Sequence, residues 1–313
     1  MLSVVLALAA AYAAAPAALP EELAHLRQSL NDEAALVDAV RAYDREQTAL
    51  AEWDKRLSKQ HADAGEQDLA RDRLDQARSR LKRARQAYEY ILHNYGNNAR
   101  AHNYYGELLY DHFGEHAGAL KAWQLATALD PGLSAPLNNL AIHYCHVGEY
   151  ANGLHYYDKA LEIDPDNPDY LFNLAQTYLL NRPAVQRIRQ WDKARLYREA
   201  MKLSKKAAQG GEDDFELAQD YAVNFYAAEN FGLTADWGKA AGAWQRARAL
   251  ARSKTETFYT WLNEGRVWLR KGDRNKAAAC LEQAVALIPS SDVAKQLLIE
   301  ARQDTPAPRS GKR

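Results

Sequence analysis

The sequence predicts an all-α protein: a right-handed solenoid of about five helix-turn-helix repeats, led by a helical hairpin and closed by a capping helix. Three observations carry that prediction. Helix formers dominate, and no segment alternates apolar and polar residues as a run of strands would. Leu137, Leu140, Ala141 and Tyr144 sit three or four apart, on one helical face; Gly148 breaks that helix, and Tyr150, Gly153, Tyr157 and Ala160 repeat the spacing. Asp164-Pro165 then ends the second helix, because proline cannot continue it. Finally, Pro131 lies 34 residues before Pro165, and the residues between follow one template. Helix pairs this short bury their apolar faces only by stacking on copies of themselves.

The copies are legible. Residues 100–133 supply Tyr110, Gly114, Ala119, Trp123, Ala126 and Pro131 at template positions, with Gly106 one place early. Residues 258–291 supply Trp261, Gly265, Gly272, Ala277, Ala284 and Pro289. On these residues the chain resembles the tetratricopeptide repeat (TPR) family, whose period is ~34. The resemblance extends from about Leu74 to Arg302.

Taken in order, residues 1–18 read as a secretory signal peptide. The apolar core Leu2–Tyr12 is too short to span a bilayer, and Ala15-Pro16-Ala17 offers a small-residue cleavage site. The expectation is a periplasmic or secreted protein, with no membrane insertion after cleavage. Residues 19–99 form an N-terminal region: a short helix, then a stripe of Val40, Tyr43, Leu50, Trp53 and Leu57, then Gly65. Next comes a heptad-like seam of Leu74, Ala77, Leu81, Ala84, Tyr88, Ile91 and Tyr95. An antiparallel hairpin turning at Gly65 and ending in a degenerate repeat is the simpler reading. A coiled coil through helix 66–95, making a homo-oligomer, is the competing one.

Residues 100–302 form the solenoid. Two repeats depart from the template between their helices. Tyr178 to Trp191 spans thirteen steps and Tyr221 to Trp237 sixteen, where the template has about six. The second insertion holds Phe225, Tyr226 and Phe231, candidate contacts on an inserted edge; the competing reading is that the insertions lengthen the helices and bury these aromatics locally. Asp292 to Arg302 resembles a capping helix, and residues 303–313, rich in Pro, Ser and Lys/Arg, read as a disordered tail.

Net charge is −1, which gives no bulk attraction for nucleic acid or membrane. Cys145 and Cys280 fall three repeats apart and read as free, buried thiols. His112, His116, His143, His146 and His155 cluster, but stacked repeats stand about 10 Å apart, so no metal or other cofactor is expected; a small-ligand or metal-binding module using this His-rich groove is a further competing reading. No nucleotide loop, nucleophile motif or metalloprotease pattern is present, and no enzyme activity is expected.

The TPR resemblance implies a concave groove lined by first helices and a protein or peptide ligand. Carried over residue by residue, the groove-facing set is Tyr104, Asn138, Asn139, Phe172, Asn173, Gln176, Phe215, Gln219, Asn263, Arg266 and Arg270. One of the groove-facing template positions reads Tyr105, Asn139, Asn173, Glu216 and Asn263. Amide side chains pair with both N–H and C=O of an extended peptide, so a ladder of asparagines reads backbone. The lysine clamp of chaperone-binding TPR domains is absent, which argues against acidic C-terminal tails as ligands.

Overall fold

The computed structural model describes residues 19–21, 23–24, 32–211 and 213–303. The proposed signal peptide, the short helix before residue 31 and the C-terminal tail lie largely outside them. Every regular element among the described residues is helical, and none is long and apolar enough to cross a membrane. The chain divides into two compact units: residues 1–147 with 158–163, and residues 148–157 with 164–313.

In the first unit, helices α1 (Glu33–Asp63) and α2 (Gln67–Asn94) form the predicted antiparallel hairpin. Asp32 caps α1 by accepting from the Ala35 N–H, and Gly65 makes the reversal at φ +83°, where a side chain would be strained. The seam of α2 is spent inside the chain: Ala77, Leu81, Ala84, Tyr88 and Ile91 are buried. The hairpin reading accounts for those residues, while Leu74, at the start of the seam, is 38% exposed. Val40 and Tyr43 of the α1 stripe are buried as expected, and its later members are corrected. Trp53 is 54% exposed, while the inward positions fall one residue later, at Asp44, Gln47, Ala51, Asp54 and Ser58. The hairpin core is therefore partly polar. Ser58 Oγ donates to the Ala70 carbonyl at 2.7 Å, and Asp54 accepts from Arg73 at 3.2 Å and Arg80 at 2.8 Å.

The first repeat follows as α3 (Ala99–Leu108) and α4 (His116–Leu129). A five-residue π turn, Leu109–Phe113, continues α3. That turn accommodates the early glycine: a π turn takes up one extra residue, so Gly106 and Tyr110 both keep their template environments. A Cβ on Gly106 would stand 2.5 Å from the Trp123 indole, so only glycine permits this helix approach. Helix α5 (Ala135–His146) opens the second repeat. Helix α6 (Tyr150–Ile163), its partner in sequence, is divided between the two units.

In the second unit, α7 (Pro168–Leu180) packs on α9 (Lys193–Gly210), α10 (Phe215–Val223) on α11 (Trp237–Leu250), and α12 (Lys254–Lys271) on α13 (Arg274–Leu287); α14 (Asp292–Arg302) covers α13. The insertions take definite form. The first is a short helix, α8 (Arg182–Arg189), ended by Gln190 at φ 55°. The second is a 3-10 segment, Asn224–Phe231. Ser253 and Glu256 close a reciprocal capping box on α12. The core centres on Trp244, Val267 and Leu281, all fully buried. At Gly265 an added Cβ would meet Leu281 at 2.7 Å, the same contact that Gly106 makes with Trp123 in the first unit.

Candidate functional site

The π turn decides which side chains of α3 are presented. Counted back from Gly106, every earlier residue moves one template place. Tyr105 accordingly turns inward and is 3% exposed, while Tyr104 lies half-buried under the Arg41 guanidinium, 4.3 Å from its ring. Tyr104 takes the template place that spacing gives to Tyr105, and the assignment of Tyr105 to the groove-facing amide position is corrected.

Around Tyr104 the first unit builds a connected polar network. Asn139 Nδ2 donates to Asn103 Oδ1 at 3.0 Å and to Glu107 Oε1 at 3.1 Å. Glu107 also accepts from Arg41, which pairs at 2.9 Å with the buried Asp44. Tyr88 completes the set, donating its hydroxyl to Asp44 at 2.9 Å. Burial pushes the Asp44 carboxyl up, opposed by those two donors. Asn138 is buried beside Asn139. Sequence reasoning missed Asp44 although a signal was available. It follows Val37 and Val40 at helical spacing, a polar residue on the buried face.

In the second unit, α7 and α10 are joined by Gln176, whose Nε2 donates to Asp220 Oδ1 at 2.5 Å. Asp220 also accepts from Asn224 Nδ2 at 2.7 Å and Ser204 Oγ at 3.4 Å. All three partners are neutral. Burial therefore prevails, and the Asp220 carboxyl is pushed up to about 6. A folded-state value above the usual one means that this group's contribution to stability is fully present below about pH 4. It is lost as pH rises through about 6. Asp220→Asn is expected to raise stability at pH 7 by about 1–3 kcal/mol and to flatten the pH profile between 4 and 6. Urea melts at pH 4, 6 and 8 would check this.

Phe172, Asn173, Phe215 and Gln219 are half-buried on these first helices. Phe215 and Gln219 line a cleft of ≈ 730 Å³ with Asp213, Asp214, Glu216, Arg252 and Glu256. Asn263 does not join them. It is 5% exposed, its Nδ2 donates to the Tyr259 carbonyl of its own helix at 2.8 Å, and its Oδ1 accepts from Arg266 at 3.0 Å. Arg270 is exposed and paired with Glu229 at 2.6 Å. The ladder expected at Asn263 is thus corrected: both ends of that amide are used inside α12.

The inserted edge is corrected too. Phe225 and Phe231 are 5% and 3% exposed, and Tyr226 is half-buried with its ring 5.2 Å from Trp237. The insertion carries aromatics because a 3-10 segment draped over α9 and α10 needs its own anchors, so it does not present them.

The histidines pack as rings. Tyr110 contacts His116 at 4.5 Å and His143 at 5.8 Å between centroids. No group of three potential metal ligands occurs among the described residues. Neither cysteine forms a disulfide; Cys280 is buried, its thiol pushed up to about 12 by burial, whereas Cys145 is half-buried.

Family models described as tetratricopeptide repeat match residues 134–167, 156–204 and 258–291. No curated protein matches the chain. Among solved structures, the chain is similar to the C-terminal part of a TPR repeat-containing protein from Cytophaga hutchinsonii. That match has 16% identity and TM-score 0.51, over 88% of this chain and 97% of that one. It is also similar to Pseudomonas aeruginosa pilF, at 15% identity and TM-score 0.50, over 82% of this chain and 99% of that one. At these identities the likeness speaks to fold. With the 34-residue spacing of Pro131 and Pro165, the stacked helix pairs and three matched segments, the chain carries tetratricopeptide repeats over residues 134–204 and 258–291.

Proposed function

We propose that this repeat protein is a non-catalytic scaffold that holds an extended segment of a partner protein against its first helices, in the cell envelope. The cleft beside Phe215 and Gln219 carries the reading. Phe215 offers an apolar wall and Gln219 an amide that pairs with peptide backbone. Asp213, Asp214, Glu216 and Glu256 outnumber Arg252 around it, which favours a segment bearing a cationic side chain. The envelope location rests on the apolar run Leu2–Tyr12 followed by small residues.

One experiment tests both parts. A photo-cross-linking amino acid at Gln219 should capture a single partner protein, recovered from the envelope fraction, while the same group at exposed Lys121 should not. Phe215→Ser with Gln219→Ala should weaken binding of that partner by about tenfold or more. Equal capture at both positions, or a partner held unchanged by the double variant, overturns the groove. Recovery of the adduct from the cytoplasm overturns the location.

A further inference from the structure

The chain carries two basic runs, and the fold treats them differently. The first, on α2, is consumed. Arg80 pairs with Asp54 at 2.8 Å, Arg83 bonds Gln47 at 3.3 Å, and Arg85 pairs with Glu89 at 2.8 Å and Glu115 at 2.6 Å. The second runs through the insertion and down α9. Residues 182–206 hold nine Lys/Arg against Asp192 and Glu199, a net +7 within a chain whose net charge is −1. Arg187, Lys193, Arg195 and Arg198 are exposed and make no ion pair among the described residues. Along α9, Arg195, Arg198, Lys202 and Lys205 follow at spacings of three and four, one exposed stripe about 15 Å long.

Two further features give this edge a direction. Guanidiniums are held in place by stacking rather than by carboxylates: Arg195 lies 4.8 Å from the Trp191 ring and Arg182 lies 5.2 Å from Phe231. Their charge is thereby positioned without being neutralised. The same segment exposes two large apolar side chains, Leu180 at 74% and Ile188 at 39%, the latter lining a shallow cleft with Arg187 and Glu149. On α8, Val185 turns inward, while Arg187 and Ile188 turn outward together.

We propose that this edge of the second unit docks on an anionic lipid surface, with Leu180 and Ile188 entering the acyl boundary and the Arg/Lys stripe lying against the headgroups. Basic residues around exposed apolar anchors are the composition of an interfacial element. An acidic protein segment or nucleic acid would engage the stripe but leave Leu180 and Ile188 in water. A bilayer satisfies both.

The test is sedimentation of the full chain with vesicles of phosphatidylcholine alone and with about one-third phosphatidylglycerol. Any contribution of apolar residues 2–12 acts on both vesicles alike, so the difference reports the edge. The expected result is much tighter binding to the anionic vesicles, declining with salt. Each neutralised cation should cost about fivefold, so Arg187→Ser, Lys193→Ser and Arg195→Ser together should cost about a hundredfold. Leu180→Ser with Ile188→Ser should weaken anionic-vesicle binding with the stripe intact. Lys202→Ser with Lys205→Ser, on the straight face of α9, provides a second charge variant should the insertion misfold. Lys121→Ser should change nothing. Equal binding to both vesicles, or indifference to either class of substitution, overturns the proposal. Binding to a soluble polyanion without binding to anionic vesicles overturns it in favour of a macromolecular polyanion.

Discussion

Trp244→Ala is expected to lower the unfolding free energy of the second unit by about 3–5 kcal/mol, and its melting temperature by roughly 10 °C. Trp244 is the largest fully buried side chain among the described residues. It lies at the centre of a cluster that includes Ala218, Val267 and Leu281, and its ring meets Tyr259 edge-on at 5.7 Å. Its neighbours on α11 are Ala240, Ala241, Ala243 and Ala247, which have no side chain long enough to fill the space. The cavity should therefore persist, which is the condition for a cost at the upper end of the range. The indole N–H has no hydrogen-bond partner among the described residues. Trp244→Phe removes that N–H along with some volume and should cost only about 1–2 kcal/mol. Chemical denaturation followed by circular dichroism would rank the two variants; a Phe variant as damaging as Ala would show that indole shape dominates.

Glu264→Ala should cost about 3–5 kcal/mol by another route, a buried charge network left without its centre. The Glu264 side chain is 3% exposed. One oxygen accepts from Gln245 Nε2 at 2.6 Å and Trp268 Nε1 at 3.1 Å; the other pairs with Arg248. Arg248 in turn lies flat on Trp261, 3.5 Å from the ring. Removing the carboxylate leaves a guanidinium, an indole N–H and an amide facing an apolar gap. Glu264→Gln keeps an acceptor for Trp268 and should cost about half as much. The exposed pair Arg302–Glu282, at 2.7 Å, provides the contrast: Glu282→Ala should cost less than about 1 kcal/mol, because water already solvates both groups. Thermal melts of the three variants in the same buffer would order them.

The repeat period, the hairpin at Gly65 and both insertions were legible because each rests on a local rule. Prolines end helices, glycines reverse chains, and apolar spacing reports a face. What was not legible depended on contacts between distant elements. The stripe through Leu50, Trp53 and Leu57 collects the larger apolar residues of α1. Yet the helix turns Ala51, Asp54 and Ser58 toward α2, because Arg73, Arg80 and the Ala70 carbonyl wait there. Asn263 has the residue type of a peptide-reading amide, but Arg266, one turn along, claims its oxygen. Phe225 and Phe231 look like a display in the sequence and serve as anchors in the fold. In each case the residue type was read correctly and its direction was not. Direction is set by what stands opposite.

The π turn at Leu109–Phe113 bears on how such arrays change length. Turns are the usual places for extra residues, and this chain uses two of them, each between the helices of one repeat. A third insertion, of a single residue, sits inside a helix, taken up in the hydrogen-bonding pattern with both ends still in phase. A comparison of repeat proteins that counts gaps only at turns would place it wrongly and shift every groove position before it by one, about 100° around the helix. A single residue inserted within a first helix therefore leaves the helix packed in phase and moves only the count, so each template place before it is filled by the side chain one residue away from the one that spacing names.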